Sequence, residues 1–390
     1  MELSTLFPLG AALTVAELED DPHPALARLR EHEPVSFVPA LSAWLVTSRE
    51  LALAVMRDDE TFTVDDPRFS TGQVVGPSML SRDGDAHARH RSPFARPFRL
   101  AATRERLGDA VEAETARLVE AIAAAGGGDL RFELAAPLAA HVMLVALGLE
   151  SIPSDVVLGW YREIVSAVSG INLGIEPPPA AARAVEQLAA EIAAAAAEGA
   201  PPSLLRDAAE HAAGVTPEEI ASNAAVLLFG GIETTEGMIA TLFLDLLGHP
   251  EQLALARARP ELRVNAIEES LRREPAAASI DRYATRDREL GAASIRQGDL
   301  VTVSLTAANR DPATFPDPDR FEIERANARL HLAFAQGPHV CLGMHLARLE
   351  ANAALDAALA RLPRLRLDPS RQASVRGLVF RKPDAVPVLA

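Results

Sequence analysis

Residues Phe334 to Gly343 read FAQGPHVCLG, and Met344 to Glu350 continue as MHLARLE. The second run has helical spacing, so Cys341 stands where a loop enters a helix. There the helix dipole and the free backbone N–H groups favour a thiolate over a thiol. Gly337 and Gly343 allow the backbone to approach a bulky planar ligand closely. A lone cysteine is most often a small buried hydrophobe, so the loop has to be read with the rest of the chain. Cys341 is the only cysteine in 390 residues. That excludes an internal disulfide, a zinc-finger cluster and a four-cysteine iron–sulfur site.

A second stretch stands out upstream. Thr216-Pro217-Glu218-Glu219 supplies an N-cap, a proline at the first helical position and a glutamate that closes a capping box. Apolar periodicity then runs to Leu247, with Gly248 and Pro250 as stop signals. About 30 residues at 1.5 Å each give roughly 45 Å, the width of a domain, so a central helix is predicted. Its middle reads GGIETT, Gly230 to Thr235. Two adjacent glycines within a helix each cost about 1 kcal/mol relative to alanine. They mark either close helix packing or a widened, hydrated bulge facing a ligand. Glu233, buried beside them, needs partners or water.

Composition narrows the rest. The chain carries 38 basic against 54 acidic residues, a net charge of −16, which makes general nucleic-acid binding a poor fit. Apolar residues make up 48%, enough for a packed core. Leu134 to Leu149 is the longest apolar stretch but holds Pro137 and His141, too short and too interrupted to span a bilayer. The N-terminal segment has no basic run and carries Glu2, so a cytoplasmic protein with neither signal peptide nor membrane span is expected. A helix from Thr103 to Ala125 ends in GGGD, WLVT at Trp44 to Thr47 reads as a strand, and residues 174–202 hold an alanine-rich helical segment between proline clusters. No linker divides the chain. One domain over 1–390 is expected, mainly α with small β-sheets and β-richer over about 1–60.

FAQGPHVCLG resembles the haem-binding loop of the cytochrome P-450 superfamily, Phe-x-x-Gly-x-His-x-Cys-x-Gly, with Ala335 in place of a second glycine. Other motifs follow in that family's order. Glu269-Ser-Leu-Arg272 matches its Glu-x-x-Arg, and PDPDRF offers Arg320 as the third member of a structural triad. GGIETT matches the oxygen-activating segment, with Glu233 and Thr234 as the acid–alcohol pair. DGDAHARHR, Asp83 to Arg91, matches a helix whose His87 and Arg91 reach the haem propionates; at i and i+4 they share one helical face.

The resemblance implies haem b between the long helix and the cysteine-loop helix, with Cys341 as iron ligand. Gly230, Phe334 and Gly343 would line the haem, and His87, Arg91, Arg282 and His339 would hold its propionates. It implies a pocket of Val74, Val75, Met79, Val226, Phe229, Ala277, Ser279 and Val379. The implied activity is that of an oxidoreductase: a haem-thiolate monooxygenase that hydroxylates or epoxidises a small to medium apolar molecule, a secondary metabolite being one candidate. Electrons would come from a separate ferredoxin and its NAD(P)H-dependent reductase, docking near Arg96, Arg99, Arg104 and Arg348. The same haem site serves oxidative coupling, which stands beside oxygen insertion. Peroxide-driven oxidation fits less well, because Glu233 and Thr234 would be superfluous. A non-catalytic haem sensor or carrier is the alternative outside enzymes.

Overall fold

The computed structural model describes residues 3–172, 174–197, 203–211 and 214–390. Its axis is the helix Pro217–Gly248, about 48 Å long at 1.5 Å per residue. The expected capping box is formed: Thr216 accepts from the Glu219 N–H at 3.2 Å, and Glu219 accepts from the Thr216 N–H at 2.9 Å. Most of the helix is buried, because helices Ala136–Leu147, Pro179–Ala196, Arg263–Arg273 and Met344–Arg361 pack around it. Among the described residues it is also the one helix long and apolar enough to cross a membrane, yet 83% of that window lies inside the protein.

Local signals set the other helices. Leu100–Ala125 stops at Gly126, whose φ of +74° is the left-handed cap that glycine supplies. The apolar run after Leu134 forms the fully packed helix Ala136–Leu147, entered through a π-helical turn at Arg131–Ala135. Pro179–Ala196 occupies the alanine-rich segment; residues 198–202 of that stretch lie outside the described residues.

The chain is mainly helical with small sheets. Among the described residues, the strands Val35–Val38 and Ala43–Val46 fall within 1–60, alongside short helices. The largest sheet orders its five strands as Val35–Val38, Ala43–Val46, Leu300–Ser304, Ser279–Ala284 and Phe62–Thr63. Ala43–Val46 runs parallel to Leu300–Ser304, and the other neighbours are antiparallel. Two of its three inner strands thus come from the C-terminal third, and the other is Ala43–Val46. Strands of two to six residues carry little periodicity of their own, which is why the N-terminal pair alone was conspicuous.

Helix Gly84–Ala95 is clamped to the start of the long helix. Arg89 pairs with both carboxylate oxygens of Glu219 at 2.7 and 2.8 Å, and buried His90 meets Asn223 Nδ2 at 2.9 Å. Asn223 Oδ1 accepts from the Met79 N–H at 2.7 Å, so the segment entering the helix is fixed as well.

Candidate active site

A cavity lies between the long helix and the cysteine loop. Its wall brings together Met79, Val226, Phe229, Gly230, Thr234, Ala277, Ser279 and Val379 with Arg91, Arg282, Phe334, His339, Cys341 and Gly343. The two glycines of GGIETT divide the two roles foreseen for them. A Cβ on Gly231 would come within 2.4 Å of Met143 Sδ, so that glycine permits helix packing. Nothing lies within 4 Å of one built on Gly230, which faces the cavity. The expected bulge is absent: the helix is continuous through both, and Thr234 Oγ1 donates to the Gly230 carbonyl at 2.6 Å.

Two pocket expectations and the placement of the catalytic acid differ from the structure. Val74 and Val75 do not line the cavity; the short helix Ser70–Val75 presents Ser70 and Thr71 instead, and the two valines pack into the helical core. Glu233 also points away from it. The carboxylate is buried 2.9 Å from Lys382 Nζ, which in turn lies 3.1 Å from Glu236. Burial pushes the Glu233 pKa up, against the pull of Lys382.

The cysteine loop is held from two sides. Ala335 adopts φ +56°, a conformation that costs an alanine about 1–2 kcal/mol. Burial raises the Cys341 thiol, while N–H groups of Gly343 and Met344 and the guanidinium groups of Arg91 and Arg348 favour the thiolate. His339 Nε2 lies 2.6 Å from Asp83 Oδ1, and its ring packs on His87 at 4.4 Å. Burial would raise Asp83, but hydrogen bonds from His339, Thr63 and the Val64 N–H outweigh it and hold the carboxyl at about 2. His87 is pushed down to about 4, chiefly by burial and then by His339 and Arg91.

The donor set fits haem. Arg91 donates to the Val340 carbonyl at 2.6 Å and Arg282 to the Asp281 carbonyl at 2.7 Å; among the described residues neither has a carboxylate within ion-pair distance. Buried His87 Nε2 has no partner. Two unpaired guanidinium groups and an orphaned imidazole are costly to bury unless an anionic group joins them. The carboxylates of a planar macrocycle beside Cys341 would meet that need.

Glu269 and Arg272 are fully buried and paired at 2.7 and 2.9 Å. The third member is Arg325, whose Nε reaches Glu269 at 2.9 Å, and not Arg320. Arg320 is 64% exposed and contributes only its backbone carbonyl, which accepts from Arg272 and Arg325. Phe321, fully buried next to it, turns the Arg320 side chain outward. The surface expectation changes too. Arg348 is committed to Glu268 at 2.7 and 2.8 Å, whereas Arg96, Arg99 and Arg104 are exposed.

Sequence reading also missed residues of this site. Asp83 opens DGDAHARHR as the residue before its helix, a visible capping signal whose reach to His339 is not. Lys382 is the only lysine in a chain that otherwise uses arginine. Glu350 lines the cavity, is 1% exposed, and its Oε2 is unpartnered; burial raises its pKa well above the usual range. Its signal was a carboxylate on the apolar face of Met344–Arg361, beside Leu346, Ala347 and Ala351.

Comparison with known proteins agrees with this geometry. The profile of the family described as "Cytochrome P450" matches residues 201–373. "Cytochrome P450 107B1" of Saccharopolyspora erythraea is 35% identical over 90% of this chain and 90% of its own length. "Cytochrome P450 monooxygenase PikC" of Streptomyces venezuelae is 34% identical over 90% of this chain and 86% of its own. The solved structure of "cytochrome P450 CREJ in complex with (4-ethylphenyl) dihydrogen phosphate" superposes with a TM-score of 0.87 at 29% identity, covering 97% of this chain and 99% of that one. The chain belongs to the cytochrome P-450 family. It is a monooxygenase with haem as cofactor, acting on a small-molecule substrate with electrons from a redox partner.

Proposed function

We propose that the enzyme is a cytoplasmic haem-thiolate monooxygenase that hydroxylates or epoxidises a small to medium, largely apolar molecule. The observation that carries this reading is that Cys341 and Thr234 line one cavity, from the loop and from the long helix respectively. In it the Cys341 sulfur would hold the haem iron, its thiolate favoured by the Gly343 and Met344 N–H groups. Arg91, Arg282, His87 and His339 would hold the haem carboxylates. Bound haem supplies the redox chemistry that splits O₂ with two electrons.

The chain's own residues handle protons and substrate. Thr234 holds a hydroxyl in the cavity, where it orients a proton donor, and Glu233 feeds protons from the Lys382 side of the helix. Met79, Val226, Phe229, Ala277 and Val379 exclude water and choose which carbon is presented. A ferredoxin, reduced by an NAD(P)H-dependent reductase, docks over Arg96, Arg99 and Arg104. Because the net charge is −16, attraction to an acidic ferredoxin has to be local.

The test is turnover of apolar compounds that shift the haem spectrum, under heavy-isotope O₂ with a ferredoxin system. The expected product carries one labelled oxygen. Turnover supported only by added peroxide, or a product with no new oxygen, would contradict the reading.

A further inference from the structure

A second cleft, open to solvent on one side, backs onto the haem cavity across the strand Ser279–Ala284. Strand alternation divides the residues: Ile280 and Arg282 line only the haem cavity, Tyr283 only the cleft, and Ser279 and Asp281 both. The cleft's apolar wall is Leu18, Leu26, Leu41, Leu45 and Leu378, contributed largely by the N-terminal layer. Its polar side is Asp281, Thr302, Ser304, Thr306 and Arg381.

The charges in this cleft are treated unequally. Arg381 is spent: it pairs with Glu274 at 2.8 Å and donates to the carbonyls of Glu19 and Gly377 at 2.9 and 3.0 Å. Glu274 nearby has three basic neighbours, His23, Arg310 and Arg381. Asp281 has none within ion-pair distance among the described residues. One oxygen accepts from Thr302 Oγ1 at 2.7 Å, and the neighbouring Arg282 turns to the opposite face. Arg282 acts on Asp281 only through space, short of the direct ion pairs that Glu274 has, and a carboxylate without such a pair among apolar walls is unfavourable. Burial accordingly pushes its pKa up.

We propose that this cleft is a binding site for a compact apolar ammonium ion, its cationic head on Asp281 and its hydrocarbon among Leu18, Leu26, Leu41 and Leu378. A cation completes the carboxylate and the leucines cover the chain, so charge and apolar area act together. Because Ser279 and Val379 also line the haem cavity, the occupant sits one residue's thickness from the substrate.

The test is calorimetric titration of haem-loaded protein with hexyltrimethylammonium, whose quaternary nitrogen has no lone pair to offer iron. Wild type, Asp281→Asn, Leu26→Trp and Val226→Phe are compared, with the Soret band verifying that each variant holds haem. Saturable binding is expected in wild type and Val226→Phe. It should be weakened about tenfold or more by Asp281→Asn, which removes the charge, and by Leu26→Trp, which fills the cleft. Absence of saturable binding to wild type overturns the proposal. So does an affinity indifferent to Asp281→Asn, or a loss in Val226→Phe that Leu26→Trp does not share.

Discussion

Lys382 Nζ lies 2.9 Å from Glu233 Oε1, so the acid of the acid–alcohol pair is tied to the far side of the long helix instead of reaching into the cavity. Burial already pushes the Glu233 pKa up, and Lys382 is the main force opposing it. Removing the cation by Lys382→Met should raise that pKa further. The alkaline limb of the turnover–pH profile should then move to higher pH, because the protonated donor persists to higher pH. Glu233→Gln should slow turnover and abolish that limb. A profile that stays in place in both variants would remove Glu233 from proton delivery.

Thr234 makes a separable prediction. Its hydroxyl is in the cavity and donates to the Gly230 carbonyl at 2.6 Å. Thr234→Ala should leave electron consumption running while hydrogen peroxide replaces product. The product formed per electron pair should fall by about tenfold or more, within the ~10²–10⁴-fold worth of a positioned proton-transfer group. Thr234→Ser should recover most of it. Tight coupling in the alanine variant would contradict the role.

The buried triad distinguishes two arginines five positions apart. Glu269 accepts from Arg272 and Arg325, and the remaining donors of Arg325 reach the carbonyls of Pro316, Asp317 and Arg320. Arg325→Ala leaves a buried carboxylate short of a partner and should cost about 3–5 kcal/mol, seen as haem loss or failure to fold. Arg320→Ala removes an exposed side chain and should change the melting temperature little. Equal effects would show that the triad is assigned wrongly.

Acid should release the cysteine loop. Hydrogen bonds and ion pairs hold Asp83 and Glu268 at about 2, against burial that would raise them. In the unfolded chain such carboxyls titrate near ~4. Each therefore stabilises the fold fully above that range, and its contribution is lost as pH falls towards 2. Both groups brace the loop, Asp83 through His339 and Glu268 through His331 and Arg348. Haem absorbance followed against pH should hold from 8 to about 5 and collapse below about 4. Asp83→Asn should move the collapse to higher pH; an unchanged midpoint would show that the His339 tether contributes nothing.

What could be read from the sequence was local. Thr216, Pro217 and Glu219 lie within four residues, so their capping geometry is written in the chain itself. The Cys341 loop likewise carries its glycines, histidine and cysteine within ten residues. What escaped depends on chain reversal. Arg325 reaches Glu269 only because the turn after Pro316 folds back, and no spacing distinguishes it from Arg320. Lys382 meets Glu233 through tertiary packing alone. Val74 and Val75 looked like pocket residues, but a six-residue helix has two faces, and the core took theirs. Two inner strands of the main sheet, Ser279–Ala284 and Leu300–Ser304, are too short to announce themselves.

The central claim is that the one cysteine is the iron ligand, and the most direct measurement is the absorption spectrum of the reduced, carbon-monoxide-bound protein. Wild type should show the red-shifted Soret band that a thiolate ligand produces, and Cys341→Ser should lose it while Phe334→Leu keeps it. A wild-type band at the position of an ordinary histidine-ligated haem, or a red-shifted band that survives in Cys341→Ser, would contradict the account.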